Sequence, residues 1–178
     1  MTEVPPLVSE ATRKAGVIWV GVPGQPRAIG VWHQWHDAPP ADGVPGGVSY
    51  VVIGPGEQPV HGLAAATTCT VSVPSSDKRG RIVTWRAAVS PVRPGTPEWD
   101  AVIPGMLTKR LNLAAAATAA ERWARQCTVL RLAPTGELAE AGETLPTGSL
   151  AEPPPPSPAR TATRVPFTLH RKRGGRVR

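Results

Sequence analysis

The side chains with the greatest capacity for chemistry lie together in one stretch, Trp32-His33-Gln34-Trp35-His36-Asp37. The spacing His-x-x-His suggests a metal site, but residues i and i+3 of a strand point to opposite faces. We therefore do not expect His33 and His36 to share a metal ion. Indole rings combine a large apolar surface with an N–H donor. The stretch favours either a pocket for a flat ligand or packing within a barrel or between subunits.

Other motifs of catalysis are missing from the sequence. It contains no Gly-x-Gly-x-x-Gly, P-loop or Gly-x-Ser-x-Gly pattern, and its acidic residues are scattered. Gly54-Pro55-Gly56 predicts a turn. Asp77-Lys78-Arg79-Gly80-Arg81 predicts a solvated hairpin tip that can also face an anionic ligand. Cys69 and Cys127 are too few for a zinc site or a disulfide framework, and we expect both to be buried, reduced thiols.

The net charge of +7 is concentrated near the C-terminal end. Seven of the 20 Lys and Arg residues but only one of the 13 acidic residues follow residue 150, which leaves 13 basic and 12 acidic residues before it. This distribution argues against a nucleic-acid-binding body and predicts only weak, non-specific nucleic-acid contact by the tail. The sequence has neither a signal-peptide pattern nor an apolar run of about 18 residues, which predicts a cytoplasmic protein without membrane contact.

Short β-type runs separated by turns dominate the first two thirds of the chain. The predicted strands are 16–22, 27–36, 48–53, 67–73, 81–92 and 125–133. The predicted helices are 8–14 with Ser9 as cap, 96–112 with Thr96 as cap and a kink or split at Pro104-Gly105, 113–122, and a short helix or turn at 59–66. Six short strands with few helices predict a mainly β (α+β) fold, a closed or half-closed antiparallel barrel.

The chain changes character after about Gly142. Periodicity disappears, Pro153-Pro154-Pro155-Pro156 favours polyproline II, and the basic end is too polar to pack. The sequence therefore predicts a domain over 1–142, with a compact body up to about Pro134, and a disordered, proline-rich basic tail over 143–178.

The ordered strings of the body resemble a known family. They are 17–35, 60–63 running into 70–73, 81–92 followed by Glu98-Trp99, and 122–125 leading to 129–134. In this order they resemble the flavin-binding split barrels of the pyridoxamine 5′-phosphate oxidase superfamily, including its branch that uses the deazaflavin F420. The resemblance implies a six-stranded split barrel, a homodimer with two flavins (FMN or F420) at its interface, and an oxidoreductase acting on a small-molecule substrate that the sequence does not name.

The resemblance also implies roles for individual residues. The cofactor-binding residues it implies are His33, Gln34 and Trp35 at the ring, His61 and Lys78 on the phosphate side, and Trp123 against the partner's cofactor. Arg27 and Arg79 are further candidates for the phosphate. The chain departs from the family at Gln58 and Pro59, where relatives often carry Lys and Arg. This departure favours an alternative, a cofactor-free split-barrel dimer that acts as a binding or interaction module.

Overall fold

The structure, a computed structural model, describes residues 4–37, 47–75, 80–113 and 115–148. Within these ranges the chain forms three α-helices and seven strands. They are α1 (Pro6–Lys14), β1 (Val17–Gly21), β2 (Ile29–Trp32), β3 (Gln34–His36), β4 (Val48–Ile53), β5 (Thr68–Pro74), β6 (Arg81–Val92), α2 (Pro97–Lys109), α3 (Ala119–Gln126) and β7 (Thr128–Ala141). Short 3₁₀ turns cover Leu63–Ala65, Ala116–Thr118 and Gly142–Thr144.

The strands form one antiparallel sheet in the order β2-β1-β5-β6-β7-β4-β3. Its two edge strands, β2 and β3, are consecutive in the chain and are separated only by His33. One stretch of chain therefore pairs with β1 through its first half and with β4 through its second half. The sheet curls back on itself through this shared stretch. The predicted split barrel is confirmed, with the predicted strand 27–36 divided into two.

Side chains that alternate along each strand point inward and fill the barrel interior. Ile18 and Val20 of β1 and Val71 and Val73 of β5 are fully buried there, around the large indole of Trp85. Helix α1 adds Val8 and Ala11 to the same cluster. Alternation of buried and partly exposed residues along β5 follows from the two-residue repeat of a strand.

Helices α2 and α3 cover the outer face of β4 and the neighbouring part of β7. As a result all six residues of β4 are buried, three toward the barrel and three toward the helices. The Tyr50 hydroxyl donates to Glu98 Oε1 at 2.9 Å, which ties β4 to the first turn of α2. Among the described residues, no helix is long and apolar enough to cross a membrane.

Two helix ends differ in how well the sequence predicted them. Thr96 caps α2 as predicted, because its Oγ1 accepts from the Trp99 N–H at 3.3 Å. The predicted Ser9 cap of α1 is wrong, since the helix begins at Pro6, whose fixed φ suits a first helical position. The predicted split of α2 is also wrong, because the helix runs through Pro104 to Lys109.

Strand β7 is longer than the sequence predicted. The predicted strand ends at residue 133, before Pro134, but β7 continues to Ala141. Pro134 pairs with Ala87 where the register between β6 and β7 shifts, and Gly136 has a φ of 89°. A proline is tolerated at such an irregularity because no regular ladder bond is lost there. The predicted boundary between a domain at 1–142 and a tail stays a prediction, since residues 149–178 lie outside the described ranges.

Candidate functional site

Three of the predicted cofactor-binding residues are buried within the chain. His33, Trp35 and Trp123 are 4%, 5% and 0% exposed. Trp35 Nε1 donates to Asp37 Oδ1 at 2.8 Å, and Trp123 Nε1 donates to Glu57 Oε1 at 2.9 Å. Each of these polar atoms therefore has a partner inside the protein. A role for the three residues in cofactor binding stays a prediction.

His33 lies at the break between β2 and β3 and connects three parts of the fold. Its Nδ1 lies 2.7 Å from Ser49 Oγ, and its Nε2 lies 2.9 Å from the Ala15 carbonyl oxygen. Because a carbonyl only accepts, Nε2 carries the proton and Nδ1 accepts from the Ser49 hydroxyl. Burial lowers the pKa of His33 to about 4, so the ring is neutral at pH 7.

The other predicted site residues are dispersed. Gln34 is half-buried and lies across Gly105 of α2, while His61 and Arg27 are exposed. Lys78 and Arg79 lie outside the described residues. The two cysteines are free: Cys69 is buried, and burial raises its pKa to about 12, whereas Cys127 is only half-buried. In the described part of the chain no group of three or more His, Cys, Asp or Glu side chains could hold a metal ion.

A different aromatic residue, Trp19, stands on the outer face of the sheet and is 47% exposed. It belongs to a set of paired residues, one on each of five neighbouring strands, that we call the outer row. The outer row consists of Gly30, Trp19, Ser72, Thr84 and Glu140. A Cβ at Gly30 would meet the Trp19 ring at 3.7 Å, so the indole lies over the glycine.

The polar members of the outer row form a hydrogen-bonded chain. Thr84 Oγ1 donates to Glu140 Oε2 at 2.9 Å, which leaves Ser72 Oγ to donate to Thr84 at 2.8 Å. Arg81 Nη1 donates to the same Glu140 oxygen at 3.2 Å. The lone pairs of the Ser72 hydroxyl therefore remain available beside Trp19. This arrangement can accept a hydrogen bond from a flat ligand placed on the indole.

The same face also carries Arg86 and ends at a cleft. Arg86 pairs across the sheet with Thr70 and forms an ion pair with Glu137 at 3.0 Å, in which both side chains are more than half exposed. A shallow cleft of about 410 Å³ lies where β1 ends and β5 begins, with Thr68 and Gly62 in its lining. His61 directly precedes this Gly62.

The polar side chains between β4 and the first 3₁₀ turn form hydrogen bonds to other parts of the chain. Gln58 Nε2 donates to the Trp32 carbonyl oxygen at 3.0 Å, and Gln58 Oε1 accepts from the Trp32 N–H. The side-chain amide thereby takes the place of a neighbouring strand where the barrel is split. The Glu57 side chain is completely buried and accepts from Arg110 and Arg122.

Comparison with known proteins finds relatives in structure alone. No family model matches the chain, and no curated protein sequence matches it. Similar solved structures include the heme storage protein HutZ from Vibrio cholerae (14% identity, TM-score 0.46, covering 76% of this chain and 93% of that one). Two others are an FAD- and heme-binding protein from Mycobacterium smegmatis (16%, 0.42, 93% of each) and the flavocytochrome Anf3 from Azotobacter vinelandii (14%, 0.38, 93% and 87%).

With TM-scores below 0.5, these likenesses carry no conclusion about a site, and the fold is read from the chain's own strands. The strand order and the closure at His33 decide the class. The chain is a split barrel. The resemblance inferred from the sequence is thus confirmed at the level of the fold. Trp19 is not among the predicted site residues, although the alternation Ile18-Trp19-Val20 indicates that this indole points away from the barrel interior.

Proposed function

We propose that this split barrel binds the planar ring of a flavin or deazaflavin on its outer row, at Trp19, and acts as an oxidoreductase. The observation that carries the proposal is a half-exposed indole over a glycine, beside a hydroxyl with free lone pairs. A conjugated ring gains from stacking on such a surface, and the Ser72 oxygen can accept from a ring N–H. The bound cofactor supplies hydride or electron transfer, while the protein orients it and its small-molecule substrate.

The residues on this face suit the ring half of a flavin better than its phosphate half. Gly30 leaves room beside the indole, because a larger side chain there would compete with the Trp19 ring. Arg86 is a cation on the same face, and an ion pair between two exposed side chains is easily exchanged for one with a ligand anion. Between β4 and the first 3₁₀ turn, by contrast, the side-chain amide of Gln58 already bonds to the backbone of Trp32 and Val52.

A second copy of the chain would complete this site. Val17 and Trp19 are apolar, lie on the outer face of β1, and are 44% and 47% exposed. Apolar groups clustered on one sheet face favour association. We propose a homodimer in the cytoplasm in which this face meets the partner, with the flavin between the two chains.

A cofactor-free binding module is the second candidate function. It is favoured by the contacts that Glu57 and Gln58 make within the chain. Arg110 and Arg122, the arginines near this loop, already have the Glu57 carboxylate as a partner. In this alternative the Trp19 face serves only as a protein interface.

The test is titration of the purified protein with FMN, riboflavin and F420, in which the fluorescence of each ligand reports binding. We expect saturable binding of at least one of these, weakened about tenfold or more in Trp19→Ala, since one stacked aromatic pair contributes about 1 kcal/mol beyond its buried area. Trp19→Phe should retain most of the affinity. Leu111→Ala removes a 77% exposed side chain elsewhere and should change nothing. Absence of binding by all three ligands contradicts the proposal and favours the cofactor-free module.

A further inference from the structure

The loop after β4 approaches the layer of helices unusually closely. Gly54 and Gly56 have φ values of 139° and 75°, which favour glycine. A Cβ at Gly54 would lie 2.9 Å from the Cys127 Cα, and one at Gly56 would lie 2.9 Å from Arg122 Nη1. The two glycines thus let the backbone pass against α3 and β7. The close approach carries Glu57 into the protein.

Three N–H donors converge on the Glu57 carboxylate, whose side chain is 0% exposed. Arg110 Nε donates to Oε2 at 3.0 Å. Arg122 Nη2 donates to Oε1 at 3.1 Å, and Trp123 Nε1 donates to the same oxygen at 2.9 Å. The donors come from the end of α2 and from α3, so they are positioned by elements other than the loop. Two guanidinium groups and an indole N–H are a donor set that proteins use to bind carboxylates and phosphates.

The charges of this group do not cancel. Two cations face one carboxylate, so the group carries a net positive charge. Arg110 also lies 5.6 Å over the Trp32 ring, and Arg122 Nη1 donates to the Pro55 carbonyl oxygen at 3.3 Å. These contacts hold both guanidinium groups in place independently of Glu57. Both arginine side chains are about a quarter exposed, so a small anion from solvent could reach them if the carboxylate were removed.

We propose that Arg110, Arg122 and Trp123 form an anion-binding site for a carboxylate or a phosphate, and that Glu57 of the same chain is its occupant. Glu57 is then a specificity-determining residue: it fills the site from within and excludes the phosphate group of any external ligand. A carboxylate on the same chain competes at a high effective concentration, so millimolar phosphate in solution does not displace it. The inference holds whether or not a flavin binds at Trp19.

The test is chemical rescue: inorganic phosphate or acetate is added to the full chain carrying Glu57→Ala. We expect the Glu57→Ala variant to have a Tm several degrees below that of the wild type in chloride. In phosphate at equal ionic strength, its Tm should rise by at least half of this difference, and the rise should saturate with phosphate concentration. Phosphate stabilises many proteins through exclusion from their surface, so the double variant Glu57→Ala/Arg122→Gln serves as the matched control. It should show no saturable gain.

A further control removes a carboxylate that only one arginine holds. Glu98 accepts from Arg131 and from the Tyr50 hydroxyl, and Glu98→Ala should not be rescued by phosphate. If Glu57→Ala does not fold in chloride, its refolding yield in phosphate and in chloride is compared instead. Equal yields, or equal Tm values in the two salts, overturn the proposal. Saturable, Arg122-dependent stabilisation of the wild-type protein by phosphate also overturns it, because the site would then be open with Glu57 in place.

Discussion

At the scale of single residues, His33 shows how a group suited to chemistry can instead hold the fold together. It is 4% exposed and has a hydroxyl partner on one nitrogen and a carbonyl partner on the other. Protonation would place a second N–H against the Ser49 hydroxyl and a charge in the interior. The folded state therefore disfavours the imidazolium form.

The first prediction concerns the pH dependence that follows from His33. Its pKa is about 4 in the folded state and 6.5 in the unfolded chain, so the unfolded chain binds the proton between these values. The contribution of neutral His33 to stability is complete above about pH 6.5 and decreases as the pH falls toward 4, by about 3 kcal/mol in total. Urea denaturation across this pH range measures it.

Two variants separate His33 from other titrating groups. In His33→Gln this part of the pH dependence should disappear. In His61→Gln, which changes an exposed histidine, it should persist. The same pH dependence in His33→Gln as in the wild type would show that another group is responsible.

At the scale of elements, the loop that leaves β4 sets the relation between the barrel and its helices. Gly54 is the position where this loop crosses the start of β7. Its φ of 139° and its approach to backbone atoms of Gln126 and Cys127 leave no room for a side chain. Backbone cannot move aside as the end of a flexible side chain can.

The second prediction is that Gly54→Ala lowers the free energy of unfolding by about 2 to 3 kcal/mol, through backbone strain and a backbone clash. Gly16→Ala is the matched control, because a Cβ there meets nothing within 4 Å and no positive φ is required. That variant should stay within about 0.5 kcal/mol of the wild type. Chemical denaturation of both variants and the wild type measures the free energies of unfolding. Equal values for Gly54→Ala and Gly16→Ala would mean that the loop does not pack against Gln126 and Cys127 as described.

At the scale of the whole molecule, one half of the outer face of the sheet lies under α2 and α3, and the other half presents apolar side chains on β1. A monomer with Val17 and Trp19 exposed leaves an apolar patch in water. The net charge of +7 does not oppose association of the bodies, because the excess of basic residues falls after residue 150.

The third prediction is that the protein is a dimer in light scattering coupled to size-exclusion chromatography, with twice the mass of the chain. Val17→Glu should shift it to the monomer at micromolar concentration, because a charge in the interface loses hydration without gaining a partner. Leu111→Glu, on a residue 77% exposed after α2, should remain dimeric. A monomeric wild-type protein at tens of micromolar contradicts the proposed association.

Much of the fold followed from the sequence because local patterns decide it. Alternation predicted a half-buried strand at 67–73, where Val71 and Val73 are indeed buried, and Thr96 before a helical segment identified a cap. Some local rules were overridden by tertiary pairing: Pro134 did not end β7, because an irregular register needs no N–H there. The candidate site was much harder to predict from the sequence, since periodicity assigns a side chain to a face but does not say whether another element covers that face.

The stretch Trp32 to Asp37 illustrates both limits. The sequence by itself determined that it is extended and that His33 and Trp35 share a face. Only the tertiary structure decided that the strand breaks at His33 to close the barrel, that both of these side chains are buried, and that the exposed indole is Trp19. It also brought Glu57 to Arg110 and Arg122, which follow it by 53 and 65 residues. Such pairings depend on how the sheet curls and where the helices pack, and no local pattern carries that information.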